Sequence, residues 1–281
     1  MLPTIRALGR QGWDVSWLPV GPDGIVDPAS LAGMLRPDTA LVSVMLANNE
    51  VGTLQPVAEL AAAARAAGAW FHTDAVQAVG KVPVDVGALG VDLLALSAHK
   101  FGGPKGAGAL WVRRGVKPLP LLTGGRQERN RRAGTENVPA IAGLGAAARR
   151  AARHLQADAA HVAALRDRLE QGLLDLVPGT SINGGAAPRV PNTTSVAFED
   201  VEAEALLIGL DLEGIAVSTG AACSSGTLEP SHVLRAMGLS GARAQNAIRF
   251  SLGPSNTVAE IDRVLEVVPR VVARLRKVKA L

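Results

Sequence analysis

The run VDLLALSAHKFGGPKGAG, Val91 to Gly108, decides how this chain reads. Leu93, Leu94, Ala95 and Leu96 form a short continuous apolar stretch, the pattern of a strand covered on both faces. Serine, histidine and lysine follow at once, and then a series of glycines. Lys100 is therefore expected at the mouth of a covered strand, where an ammonium group loses hydration and its neutral form is favoured. A neutral amine is what Schiff-base chemistry asks of a lysine. Gly102, Gly103, Gly106 and Gly108 are expected to turn the backbone sharply after it and to keep side chains out of the space beside it. They do not form a dinucleotide loop, because GGPKGAG precedes a strand rather than opening a helix.

Working outward, short apolar strands alternate with helical segments from Val15 to about Arg114. The expected strands are VSWLPV, ALVSVMLA, WFHTDA, LLALSA and GALWVRR. Between the first two, DPASLAGMLR opens with Asp27 as N-cap and Pro28 at the first helical position. Between the next two, PVAELAAAARAAG starts on Pro56 and stops at Gly68. This alternation predicts an α/β fold with a mostly parallel sheet. Alanine-rich helix is expected from about Val138 to Leu176, with a polar break near Gln156 to Asp158. Beyond it, SVAF, IAVST and AIRFSLG read as strands, and EAEALLIGLDLEG, SHVLRAMG and a segment from Val258 as helices. The expectation is a large domain over residues 1–150 and a smaller α+β domain over residues 151–281.

Composition narrows the function classes. The chain has 281 residues, 48% hydrophobic and 19% charged, a globular balance. No apolar run is long enough to cross a bilayer without charge or glycine, and the N-terminus lacks the pattern of a secretory signal, so a cytoplasmic protein without a membrane partner is expected. The net charge of +4 is spread along the chain apart from GGRQERNRR and the tail ARLRKVKAL, and with four Trp, four Phe and no Tyr there are few stacking platforms for bases. Nucleic acid is therefore not an expected partner. The single cysteine, Cys223, excludes an intrachain disulfide and a multi-thiolate metal site.

In parallel sheets a ligand sits beyond the carboxyl ends of the strands. Asn48, Asn49 and Glu50 follow one strand here, Asp74 and Gln77 the next, and Ser97, His99 and Lys100 a third. Amide, carboxylate, hydroxyl, imidazole and amine groups thus converge on one crevice. Taken singly, Asp74 reads rather as the cap of a following helix and Lys100 as a side chain reaching the surface; it is their convergence that points to a site. A metal site from His72, Asp74 and His99 is not expected. Cys223 lies in STGAACSSGT, where the small neighbours offer nothing large and apolar to pack against, so the thiol is expected to be accessible.

Five segments in order, ANNEVGTLQPV, HTDAVQAVGKVPVDV, SAHKFGGPKGAGALWV, GGRQERNRRAGTENV and STGAACSSGTLEPSHVLRAMG, resemble the NifS-like cysteine desulfurases over almost the whole chain. These are fold-type I, aspartate aminotransferase-like, pyridoxal 5'-phosphate enzymes. The resemblance implies that Lys100 carries the cofactor covalently, that Asp74 pairs with its ring nitrogen, and that Gln77 bonds its ring hydroxyl. Ser97 and His99 would hold the phosphate, and Asn49 would lie beside the ring hydroxyl and the substrate carboxylate. His72 would support Asp74, while Asn48 and Glu50 would be structural. Thr135, in RRAGTEN, would reach the phosphate of a neighbouring subunit, which implies a homodimer with shared active sites. Arg249, in NAIRFSLG, would clamp the substrate carboxylate, and the Cys223 thiolate would accept sulfur from L-cysteine as a persulfide, leaving L-alanine. A sulfur-acceptor or iron-sulfur scaffold protein would then take the sulfur.

The family's GATE-type phosphate loop and ring-stacking histidine lie upstream of any segment matched here, so the large domain is expected to be incomplete at its N-terminus. Competing expectations are a selenocysteine lyase, another fold-type I enzyme, and a non-catalytic remnant that binds a full-length partner. The Cys223 loop argues against an aminotransferase, which needs no thiol.

Overall fold

A computed structural model describes residues 2–220 and 230–279. In chain order the first half contains α1 (Leu2–Arg10), α2 (Pro28–Met34), β1 (Leu41–Met45), α3 (Val57–Ala66), β2 (Trp70–Asp74), the short α4 (Val86–Leu89) and β3 (Leu93–Ser97). A 3-10 turn over Ala98–Phe101 then leads into β4 (Gly108–Val112). The helix starts follow local chemistry: Asp27 accepts hydrogen bonds from the N–H groups of Ala29 and Ser30 at 3.1 and 3.2 Å, and Pro28 occupies the first turn of α2.

The four strands form one sheet in the order β1-β2-β3-β4. β1, β2 and β3 run parallel, bringing Met45 level with Asp74 and Asp74 level with Ala95 at their C-terminal ends. β4 returns antiparallel, pairing Gly108 with Ser97. This is the mostly parallel α/β sheet that the alternation predicted. Val15–Val20 departs from expectation. It runs as irregular chain and does not join the open edge of β1, which is the outer strand of the sheet among the described residues. Leu18 and Val20 still pack against the first core, so the apolar signal was real but reported burial rather than pairing.

The second half begins with a single turn, α5 (Gln127–Asn130), and then α6 (Val138–Leu176), 39 residues long. No break occurs at Gln156–Asp158. Gln156 faces solvent and Asp158 pairs with Arg150 at 3.2 Å, so the polar residues decorate the helix instead of ending it. The same helix buries Ala140, Ala147 and Ala151 early and Val162, Leu165, Leu169 and Leu173 late. Leu165, Leu169 and Leu173 enter a second core with Phe198, Leu206, Ile248 and Val268.

That core is built on β5 (Thr180–Asn183), β6 (Thr193–Phe198) and β7 (Ala247–Ser251), an antiparallel sheet in the order β5-β6-β7, with β6 buried at every position in its centre. Helices α7 (Ala203–Asp211), α8 (His232–Ala236), α9 (Gly241–Gln245) and α10 (Val258–Lys279) accompany it. Ile215–Thr219, expected as a strand, makes a single bridge among the described residues, between Ser218 and Arg249. Among the described residues no helix is long and apolar enough to cross a membrane.

The two sheets meet at the loop after β1. Asn48 Oδ1 accepts from the N–H groups of Glu50 and Val51 at 2.8 and 3.1 Å. Glu50 is buried and accepts from Ser231 Oγ at 2.5 Å. Val51 joins a third cluster with Ala197, Leu234 and Met237 from the second half. Asn48 and Glu50 thus have structural work in this loop.

Two glycines next to the 3-10 turn give a comparison. A Cβ on Gly80, whose φ is +77°, would stand 2.7 Å from Phe101 Cβ, whereas Gly102, at φ +87°, has open space around it. Both Gly→Ala changes force an L-residue into the left-handed region, at about 1–2 kcal/mol, and Gly80→Ala adds an overpacking cost of about 1–3 kcal/mol. Urea unfolding is expected to show a clearly larger loss of stability for Gly80→Ala than for Gly102→Ala.

Candidate active site

Chain leaving the C-terminal ends of the parallel strands lines a cavity of about 590 Å³. Asn49, Gln77, Lys81, His99 and Lys100 come from the first sheet's connections, and Arg249 comes from β7 of the second sheet. The volume suits a small organic ligand.

Lys100 sits in the 3-10 turn directly after β3, which is stopped by Gly102 in the left-handed conformation. Its side chain is exposed, not dehydrated as the strand-mouth reading predicted. The turn lifts it off the strand end and into the cavity opening. The dehydrated lysine is Lys81. Its pKa is pushed down from the ordinary 10.5 to about 8, first by burial and then by the positive charges of Lys100 and Arg249. Its ammonium donates to Gln77 Oε1 at 2.8 Å. Sequence reasoning passed over Lys81. The signal available was its four-residue spacing from Gln77, which brings two such side chains together on a helical turn.

Arg249 Nη1 donates to the carbonyl of Asn49 at 2.9 Å. Its backbone N–H donates to Ser218 O at 2.6 Å. Its Nε is buried and has no partner among the described residues. None of Lys81, Lys100 and Arg249 forms an ion pair among the described residues. A fourth lining cation, Arg150, is paired with Asp158, which also lines the cavity; the three cations left without an ion pair, one of them with an orphaned buried donor, make a site for anionic groups. That donor set fits pyridoxal phosphate together with an amino-acid carboxylate, and an amine, an amide and a nearby carboxylate complete it.

The remaining predicted residues fall in different places. Asp74 ends β2 and its Oδ1 accepts from Val76 N–H at 3.0 Å, so it does close the following turn; its other oxygen has no protein partner among the described residues. His72 faces Ser43, its register partner on β1, with Nδ1 and Oγ 2.8 Å apart. Burial lowers the His72 pKa and the Asp74 charge opposes that. Support of Asp74 by His72 is therefore through space, and the hydrogen bond goes to Ser43. Ser97 Oγ and His99 Nδ1 lie 2.8 Å apart at the end of β3. Thr135 is exposed in the chain before α6 and does not line this cavity. Cys223 lies outside the described residues. The glycines after Lys100 serve two purposes: Gly102 and Gly106 adopt positive φ, while a Cβ on Gly103 or Gly108 would strike Ala98 or the Leu96 carbonyl at 2.8 Å. Close packing, rather than space for a ligand, accounts for that second pair.

The Aminotransferase class-V family matches residues 1–264. The chain is 50% identical over 281 residues to the cysteine desulfurase IscS of Methanosarcina thermophila, covering all of this chain and 69% of that protein. It is 51% identical over 271 residues to the cysteine desulfurase NifS of Azotobacter vinelandii, covering 96% of this chain and 67% of that protein. A solved NifS-like protein superposes with a TM-score of 0.90 at 39% identity, covering 98% of this chain and 72% of that one.

Lys81 gives the ligand-free chain a pH signature. With a folded pKa of about 8 against an ordinary 10.5, it holds fewer protons folded than unfolded across that window. The cost of burying its charge is full below the folded value and is lost as pH rises through the window, so stability rises with pH from about 8 to about 10. Urea unfolding at the two ends is expected to show this rise in the wild-type chain and a smaller one in Lys81→Met.

Proposed function

The chain belongs to the class-V aminotransferase family and, within it, to the cysteine desulfurases, and from that premise we propose which of its residues carry the reaction. It is a pyridoxal-phosphate-dependent enzyme of fold type I that takes sulfur from L-cysteine and leaves L-alanine. The observation that carries the assignment of residues is the cation-lined cavity between the two sheets, with Lys100 and Arg249 facing it from opposite sides of the chain's topology.

Lys100 is the residue to which the cofactor attaches. Asp74 pairs with the ring nitrogen, Gln77 with the ring oxygen, and Ser97 and His99 with the phosphate. When bound, pyridoxal phosphate supplies an electron sink that stabilises negative charge on the substrate carbons. Arg249 holds the substrate carboxylate through its planar guanidinium, whose orphaned Nε is the natural second donor of a bidentate pair. Asn49, whose carbonyl is already taken by Arg249, turns its side chain to the ring oxygen and the carboxylate.

Cys223 as thiolate attacks the sulfur of the bound cysteine. A sulfur–sulfur bond forms and the carbon–sulfur bond breaks, its electron pair remaining with the carbon that takes up a proton to become the methyl group of alanine. The persulfide on Cys223 is then passed to a sulfur-acceptor or iron-sulfur scaffold protein. Thr135, away from its own chain's cavity, contacts the phosphate held by a second copy, so the working unit is a homodimer with shared sites. Residues 1–150 form the cofactor-holding domain and residues 151–281 the smaller domain carrying Cys223, with α6 running through the boundary. The cytoplasm is the proposed location.

Borohydride reduction of the cofactor-loaded chain followed by peptide mapping is expected to label Lys100. Lys81 is the serious competitor, since burial leaves more of it neutral near pH 8, and a label there or on Lys105 would overturn the assignment. Lys100→Ala is expected to abolish the covalent attachment while the chain stays folded, as read by circular dichroism.

Cys223→Ala is expected to retain the visible absorbance of the bound cofactor and to lose sulfide release from cysteine by about a hundredfold or more, because cofactor binding and sulfur acceptance use separate groups. Normal turnover in that variant would remove Cys223 from the mechanism.

A further inference from the structure

Lys81 has no place in the mechanism above, yet it lines the cavity and touches one of its proposed cofactor contacts. We infer that Lys81 is a positioning residue: by donating to Gln77 Oε1 it fixes the Gln77 amide so that its two N–H donors, and not its oxygen, are offered to the cofactor. The assignment rests on the proposed role of Gln77.

The two ends of a glutamine amide have nearly the same shape, so their orientation is decided by partners. An ammonium group has donors only. The amide atom 2.8 Å from Lys81 Nζ must therefore be oxygen, and reversing the amide would set donor against donor and forfeit a charge-assisted bond. The Gln77 Nε2 group is left without a protein partner among the described residues, on a side chain that lines the cavity. A pair of N–H donors stabilises an ionised ring oxygen, whereas an amide oxygen in the same place would repel it. Polarisation of the amide by the cation at its other end strengthens those donors.

The turn that carries Lys81 is held firmly enough for this task. Lys81 N–H donates to the Ala78 carbonyl at 3.0 Å. Gly80, just before it, packs against Phe101, the neighbour of Lys100, with no room for a Cβ between them. The positioning lysine and the proposed cofactor-linking lysine are thus fixed to each other through Gly80 and Phe101. Burial of the Lys81 ammonium beside two other cations is a standing cost that a merely solvent-facing lysine would avoid, and the Gln77 oxygen is its single acceptor among the described residues.

A double-mutant cycle on the full chain tests the inference. Pyridoxal phosphate is titrated into wild type, Lys81→Met, Gln77→Ala and the double variant, with the dissociation constant and the position of the visible absorption band as readouts. Lys81→Met is expected to weaken binding by about tenfold and to shift the band in the same direction as Gln77→Ala. The double variant is expected to bind within about twofold of Gln77→Ala alone, because the lysine acts through the glutamine. Lys81→Arg, which keeps a cationic donor, is expected to stay within about threefold of wild type. Losses that multiply in the double variant, wild-type binding by Lys81→Met, or an arginine variant as weak as the methionine one would each overturn the role of Lys81 alone. A wild-type chain that takes up no pyridoxal phosphate would overturn the reading of the cavity, and this inference with it.

Discussion

A guanidinium nitrogen of Arg249 donates to the carbonyl of Asn49, 200 positions earlier in the chain, and the cavity depends on that contact. The loop after β1 is the joint between the two sheets, and each of its residues is satisfied from a different direction. Asn48 folds the loop on itself, Glu50 takes the Ser231 hydroxyl, and Val51 enters the cluster with Leu234 and Met237. Thr53 donates to the Asp23 carbonyl and bridges to Arg189. Buried polar groups tolerate few gaps in their hydrogen bonding, so a loop satisfied by both halves holds them in one arrangement.

Electrostatics then gives the cavity its chemistry. Lys81, Lys100 and Arg249 face it without an ion pair among the described residues, Asp158 in its lining is paired with Arg150, and Asp74 gives only one oxygen to the turn after β2. Burial first, and then the like charges that the fold holds beside it, lower the pKa of Lys81. Such an arrangement is unfavourable in the ligand-free chain and favourable once anions arrive, because donors fixed in advance need no reorganisation when negative charge enters.

Much of the first sheet was legible in the sequence. β1, β2 and β3 are short apolar runs bounded by turn residues, and Asp27-Pro28 and Pro56…Gly68 mark helix limits by local chemistry alone. The convergence of Asn49, Gln77 and Lys100 followed from the parallel topology. What failed depended on partners distant in sequence. Val15–Val20 and Ile215–Thr219 have strand-like composition but no full ladder among the described residues, and pairing is a property of neighbours. The state of Lys100 was misjudged because a 3-10 turn changes where a side chain points, and the role of Lys81 was missed because its burial and its two cationic neighbours come from folding. His72 went to Ser43 for the same reason, since register across β1 and β2 outweighs nearness along the chain.

Helix α6 has a mechanical meaning for how the cavity can work. Its 39 residues, at about 1.5 Å each, make a rod about 58 Å long. It packs against the 3-10 turn after β3 and the glycines around it near one end, through Gly143, Ala147 and Ala151, and is embedded in the second core near the other. Between those anchorages, over residues 152–161, there is neither glycine nor proline to act as a pivot. A rod clamped in both bodies transmits torque instead of absorbing it. Traffic of small molecules through the cavity must then be borne by side chains and connecting loops around a stiff frame, and a distortion introduced at one sheet will be felt at the other as strain along a single axle.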